Sequence, residues 1–218
     1  MYKLFYSPGA CSMAPHIVLE EIGLPYETEL VSISKGQTQS PEWKAINPKG
    51  RVPALLGVPG RMGGKPDLLT EANAIMLYLA RTNPGAKLLP SDPAGEARCL
   101  EWMNYLTTAV HARAVGQVWR TVHFTTDEGG FPGIKAKGEL NARDAFAYID
   151  SLLADGRDWA VPGGYSVVDA YLVVFYTWGQ RMGLDMRAEY PAWSRLMDTV
   201  RARPAVQRVL KDEGIEVK

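Results

Sequence analysis

Within the first thirty residues an apolar run, a turn, a helical pattern and a second apolar run follow one another with almost no spare chain, and that order constrains everything after it. Leu4, Phe5 and Tyr6 read as a buried strand and Ser7-Pro8-Gly9 as the turn that ends it. Ile17, Val18, Glu21 and Ile22 then keep helical spacing until Gly23-Leu24-Pro25 closes the helix. The β-branched and aromatic stretch over 26–31 reads as a second strand, so the unit is βαβ. Cys11 falls near the first turn of the helix. There the macrodipole and unpaired backbone N–H groups favour a thiolate, which predicts a lowered pKa and a place for an anionic ligand sulfur. The competing reading is a small buried apolar residue, because cysteine is among the most buried residue types.

The segment after the second strand is polar, with a short helix starting at Ser40-Pro41, where Pro41 suits the first helical position. Asn47-Pro48-Lys49-Gly50 is a turn leading into a strand that Pro53 opens, a position where proline is tolerated. A cis bond at Pro53 would leave the N–H and C=O of Val52 free to pair with an extended peptide-like ligand, a small-scale strand addition. Residues 57–67 carry four glycines and two prolines and read as a long, mobile hairpin connection. Strand character resumes at Leu68-Leu69, and Thr70 is placed to cap a helix carrying Ile75, Met76 and Leu79. Free N–H groups at Ala72 and Asn73 would make a second anion site.

Asn83-Pro84-Gly85 stops that helix, and 84–92 reads as a linker between an N-terminal domain over 1–83 and a second domain over 93–218. The second domain has no alternating strand pattern. Its helices are expected over a long run from 93 past Val118, over 136–154 and 166–182, and in two final segments over 193–203 and 205–213. Ser166 followed three residues later by Asp169 is a capping-box start.

Charge and cysteine content exclude several classes. The 24 basic and 24 acidic residues cancel, so no net field points to nucleic acid or to an anionic membrane. No apolar run nears the roughly 20 residues that span a bilayer, and the first residues lack the pattern of a signal peptide. A cytoplasmic protein is expected. Cys11 and Cys99 stand far apart and outside any C-x-x-C, which argues against a disulfide framework, a metal site and a dithiol redox mechanism.

Taken together, Ser7-Pro8-Gly9-Ala10-Cys11-Ser12, then Asn47-Pro48-Lys49-Gly50 through Val52-Pro53-Ala54-Leu55, then Leu69-Thr70-Glu71-Ala72, then Ser166-Val167-Val168-Asp169-Ala170-Tyr171 resemble the cytosolic glutathione S-transferases, most closely the bacterial beta class. The resemblance spans the whole chain. It implies an α/β thioredoxin-like N-terminal domain, an all-α C-terminal domain, a homodimer, glutathione as co-substrate and a detoxifying role. By the same resemblance Pro53 would be cis and the Val52 backbone would pair with the cysteinyl part of glutathione. Glu71 and Ala72 would hold its γ-glutamyl end, and Lys35 its glycyl carboxylate. Cys11 would sit beside the glutathione sulfur and could form a mixed disulfide with it. His111 and Asn104 would approach the thiol from the second domain; seven residues apart, they lie on nearly one face of an ideal α-helix. One departure is visible. The lysine that often follows the histidine is Ala112 here, and Arg113 would point about 100° further round an α-helix.

The implied activity is transfer of the glutathione thiolate to an electrophilic, apolar acceptor. The acceptor pocket is expected between the domains, with Tyr105, Tyr171 and Trp178 as candidate lining and Tyr6 as a further wall residue. Two other readings remain open at this level: monothiol exchange or peroxidase chemistry through Cys11, and a non-enzymatic carrier of apolar ligands.

Overall fold

The computed structural model describes residues 1–62 and 65–217. Its N-terminal half is built from β1 (Tyr2–Tyr6), α1 (Met13–Ile22), β2 (Tyr26–Leu30), α2 (Pro41–Ile46), β3 (Ala54–Met62), β4 (Lys65–Thr70) and α3 (Ala72–Thr82). The strands form one sheet in the order β2-β1-β3-β4, with β1 parallel to β2 and antiparallel to β3. Alternation along β1 decides which face each residue serves. Leu4 points to a core shared with α1, α3 and the second half, whereas Phe5 packs on Trp43 of α2 at 4.9 Å between ring centres. This is the mixed four-stranded sheet of a thioredoxin-like domain, as the βαβ start and the returning hairpin implied.

The expected loop over 57–67 is a correction. β3 continues to Met62 and pairs antiparallel with β4, with a register shift between Leu56 and Arg61. Gly63 and Gly64 lie outside the described residues. Gly57 is required where it stands: its φ is 91°, and a Cβ there would come within 2.7 Å of the Met1 carbonyl oxygen. Gly57 therefore serves a strand whose backbone is closely approached.

The second half is helical: α4 (Pro93–Tyr105), a π-helical segment Leu106–Val115, α5 (Gly116–Trp119), α6 (Phe131–Leu152), α7 (Val167–Arg181), α8 (Met186–Glu189), α9 (Pro191–Arg201) and α10 (Pro204–Asp212). The thirteen consecutive residues from Val167 to Gly179 are all buried, so α7 is the central helix of the bundle, apolar on every side. Its start is fixed by the capping box. Ser166 Oγ accepts from the Val168 N–H at 3.3 Å, and the Asp169 carboxylate accepts from the Ser166 N–H at 2.8 Å and from the Ala160 N–H at 2.8 Å.

The two halves are joined by hydrogen bonds as well as by packing. Leu88 in the connecting segment is 1% exposed, and its carbonyl accepts from the Val167 N–H at 3.0 Å. Asn73 Nδ2 donates to the Met103 carbonyl at 3.0 Å, and the Thr107 hydroxyl donates to Asn73 Oδ1 at 3.2 Å while lying 3.3 Å from the Tyr171 hydroxyl. Arg203 makes a two-pronged pair with Glu21 at 2.6 and 2.8 Å, the geometry that makes arginine–carboxylate pairs specific.

Candidate active site

The loop between β1 and α1 carries Cys11, and both halves of the molecule hold that loop. Ser12 knits it internally, accepting from the Ser7 N–H at 3.1 Å and donating to the Ser7 carbonyl at 3.2 Å. Gly9 adopts φ 65°, which suits glycine, and both of its peptide groups are bonded from the far end of the chain. Its N–H donates to Glu213 Oε2 at 2.9 Å, and its carbonyl accepts from Trp178 Nε1 at 2.8 Å. The other oxygen of Glu213 accepts from His16 Nδ1 at 2.8 Å, in a site where both side chains are buried.

Cys11 is half-buried, two residues before the first residue of α1, with Ser12 as the flanking N-cap. Its thiol donates to the Val52 carbonyl at 3.5 Å. Val52 precedes the cis Val52–Pro53 bond at the entrance to β3, so the sulfur lies against the backbone expected to receive an extended peptide. The expected lowering of the thiol pKa is overturned. Burial pushes Cys11 up to about 11, a stronger effect than the opposing positive charges of Arg120 and Arg51. The thiol lies just outside the helical turn, where the dipole is weaker than the cost of desolvating a thiolate.

At the other end of the cleft Glu71 adopts φ 73° and ψ 122°, a conformation costly for a residue with a Cβ, on the order of 1–3 kcal/mol. Glu71, not Thr70, occupies the N-cap position of α3, and its side chain makes no cap bond. Thr70 instead accepts from Lys49 Nζ at 2.9 Å, and the same ammonium pairs with Glu71 Oε1 at 2.5 Å. The first turn of α3 leaves the N–H groups of Ala72 and Asn73 without helical partners, next to that carboxylate. A positive backbone end and a negative side chain thus stand side by side.

From the second half, His111 stands beside Trp178, the residue that holds Gly9. Its ring lies 4.8 Å from Trp178 and 6.4 Å from Phe175. Burial, with the positive charges of Arg120 and Arg51 added, lowers its pKa to about 3, so the imidazole is neutral at physiological pH. Asn104 differs from His111 in burial. It is exposed, and its carbonyl accepts from the Thr108 hydroxyl at 2.8 Å. The intervening segment is π-helical, with i→i+5 bonds, so a seven-residue step no longer returns to the same face.

The four candidate pocket residues separate. Trp178 touches His111 and holds Gly9, and its outer neighbour is Trp119 at 5.4 Å, which is 40% exposed. Tyr171 is 1% exposed and is a core residue bonded towards Thr107. Tyr105 packs on Tyr148 of α6 at 5.2 Å. Tyr6 lines another concavity of about 470 Å³, with His16, Glu20, Tyr26, Thr28 and Asp212. Lys35 is exposed in the segment before α2, where its N–H donates to Ser32 Oγ at 3.2 Å.

Four residues that govern the site were not among the sequence candidates: Glu213, Lys49, Arg51 and Arg120. Nothing local marks Glu213, whose partner Gly9 stands 204 positions earlier. Arg120 had a faint signal, a cation between Trp119 and the apolar Val122 and Phe124.

A thioredoxin-like domain whose cysteine loop is clamped by an all-helical second domain defines a class of thiol-handling proteins. Comparison with known proteins gives the family. Residues 1–81 match the glutathione S-transferase N-terminal domain and 134–204 the C-terminal domain. A glutathione S-transferase of Escherichia coli O157:H7 is 34% identical over 217 residues, covering 98% of this chain and 100% of that protein. Among solved structures, a glutathione transferase homologue from Sulfitobacter with bound glutathione superimposes with a TM-score of 0.88 at 31% identity, covering 99% of both chains. A beta-class glutathione S-transferase of Sphingomonas chungbukensis gives 0.80 at 29% identity, covering 98% of this chain and 100% of that one. The chain belongs to the glutathione S-transferase family.

Proposed function

We propose that the chain is a glutathione S-transferase of the beta-class type, acting as a cytoplasmic homodimer that conjugates glutathione to electrophilic acceptors and so removes them. The observation that carries the reading is the cleft between Val52 and the start of α3, with Cys11 at one end and the Lys49–Glu71 pair at the other. The tripeptide would lie along Val52 and Pro53. Its γ-glutamyl carboxylate would take the free N–H groups at Ala72, and its ammonium would face Glu71. That exchange is easy, because the Lys49–Glu71 pair is exposed and such pairs contribute about 0–1 kcal/mol. Lys35 remains our assignment for the glycyl carboxylate, and Asn104 is retained only as an outer contact.

Because Cys11 stays protonated at neutral pH, its role is that of a hydrogen-bond donor to the glutathione thiolate. Neutral His111 can donate a second bond, and the positive charges of Arg120 and Arg51 favour the anion. Each unit of depression in the glutathione thiol pKa supplies about 1.4 kcal/mol towards the nucleophile. The same protonation argues against thiol exchange through Cys11 as the main activity, since the thiolate is the exchanging species.

The test is calorimetric titration with glutathione and then S-hexylglutathione. Binding of both, tighter for the alkylated form, is expected; binding of neither would leave only the carrier reading. Cys11→Ala is expected to abolish thiol exchange while conjugation persists in part.

A further inference from the structure

The concavity of about 470 Å³ that Tyr6 lines is formed by β1, the edge strand β2, α1 and the last residue of α10, and it contains none of the residues proposed to hold glutathione. Its walls are fixed by bonds of their own. His16 Nδ1 meets Glu213 Oε1 at 2.8 Å, and the His16 ring lies 5.5 Å from that of Tyr6 and 5.8 Å from that of Tyr26. The Tyr26 hydroxyl donates to Glu20 Oε1 at 2.6 Å, and Arg208 Nε donates to Glu20 Oε2 at 2.6 Å. Walls held in this way need no ordering when a ligand arrives.

Three acceptors in the lining are left over. The Tyr6 hydroxyl, the Thr28 hydroxyl and the Asp212 carboxylate have no hydrogen-bond or ion-pair partner among the described residues. The local charge is negative, because Arg208 cancels Glu20 while Asp212 has no counter-ion. Burial and the charges of Glu213 and Asp212 raise the Tyr6 phenol above its ordinary pKa, so its hydroxyl stays neutral. An anionic ligand is therefore disfavoured. A hard metal ion asks for several charged or carbonyl oxygens, and both oxygens of Glu20 are already engaged. A primary ammonium ion carries three N–H donors and no acceptor, which matches three oxygens that lack donors. The rings of Tyr6 and Tyr26 add faces of the kind that attract cations. The volume far exceeds an ammonium group and leaves room for an apolar tail.

We propose that this concavity binds a small organic primary ammonium ion, its nitrogen donating to Asp212, Tyr6 and Thr28 and its aromatic or alkyl tail lying against Tyr26 and His16. The site is separate from the cysteine cleft, yet one of its walls is tied to it. His16 shares the Glu213 carboxylate with the N–H of Gly9, two residues before Cys11.

The test is calorimetric titration of the full chain with 2-phenylethylammonium at neutral pH. Saturable binding is expected, weakening several-fold at about 0.5 M salt as the charges are screened. Asp212→Asn is expected to weaken it about fivefold, the upper range for an exposed ion pair, and Tyr6→Phe and Thr28→Val roughly threefold each. Asp212 is exposed and its side chain makes no bond among the described residues, so the Asn variant should fold as wild type does. Two analogues separate the contributions: the N-trimethylated cation has no N–H, 2-phenylethanol has no charge, and each is expected to bind several-fold more weakly. Binding of the amine is expected to persist with S-hexylglutathione in the cysteine cleft. Absence of heat up to about 10 mM amine, unchanged affinity in Asp212→Asn, or equal affinity for the trimethylated cation would overturn the inference. Displacement of the amine by S-hexylglutathione would overturn it too, and would assign the amine to the cysteine cleft.

Discussion

Removal of the Glu213 carboxylate should both destabilise the protein and loosen the site. The side chain is fully buried, and its two oxygens accept from the Gly9 N–H at 2.9 Å and from His16 Nδ1 at 2.8 Å. Glu213→Ala leaves two buried donors without acceptors, each costing about 1–3 kcal/mol. Part of that is offset because the carboxylate no longer has to be desolvated, so we expect a net loss of about 2–4 kcal/mol. Glu213→Gln keeps one acceptor oxygen and orphans one donor, for a loss of about 1–2 kcal/mol. Urea unfolding at fixed protomer concentration, followed by tryptophan fluorescence, should give the order wild type, Gln, Ala with a constant m-value. For a chain of this size the Ala variant should melt roughly 4–16 °C lower. Gly9 stands two residues before Cys11, so glutathione affinity should fall in the same order. An Ala variant within about 0.5 kcal/mol of wild type would refute the reasoning, because surface substitutions commonly cost no more than that.

Three further outcomes are expected. In the folded state His111 has its pKa depressed to about 3, below the ordinary value of 6.5, so between those values the unfolded chain binds more protons; the contribution of His111 to stability is full above 6.5 and is lost as pH falls below it. His111→Gln should flatten the loss of melting temperature between about pH 6 and 4, and an unchanged slope would count against burial as the cause. With its thiol held near 11, Cys11 of the free protein should react slowly with iodoacetamide at pH 7 and faster as pH rises, whereas rapid reaction at neutral pH would mean the thiol is not desolvated. Asp169→Ala, which removes the acceptor for Ala160 and Ser166, should cost about 3 kcal/mol or more in urea unfolding, and an effect under 1 kcal/mol would contradict the bonding described.

What could be read from the sequence followed the range of the interactions involved. The βαβ start, the helix over 167–181 and its capping box rest on neighbours within a turn or a strand, and those patterns are local. The cis bond at Pro53 and the roles given to Glu71 and Ala72 came from the resemblance to a family, since spacing alone does not announce them. The neighbours of Cys11 along the chain suggest a helix terminus and a lowered pKa, while burial against Val52, distant in sequence, raises it. The pairing of Asn104 with His111 rests on an α-helical period, whereas the segment between them is π-helical. Glycine-rich 57–67 reads as a loop in the sequence because the close approach of Met1 to Gly57 is a tertiary fact.

The connecting segment has a consequence for kinetics. With the Leu88 carbonyl spent on the first turn of α7 and Leu88 itself sealed in the core, the join between the halves is a rivet and not a hinge. Together with the bonds through Asn73, Gly9 and Glu21, it means that the cleft exists in finished form before any ligand arrives. A preorganised cleft keeps the entropy of ordering out of the association step. Turnover is then governed by encounter, chemistry and product departure, with no closure of one half upon the other to wait for.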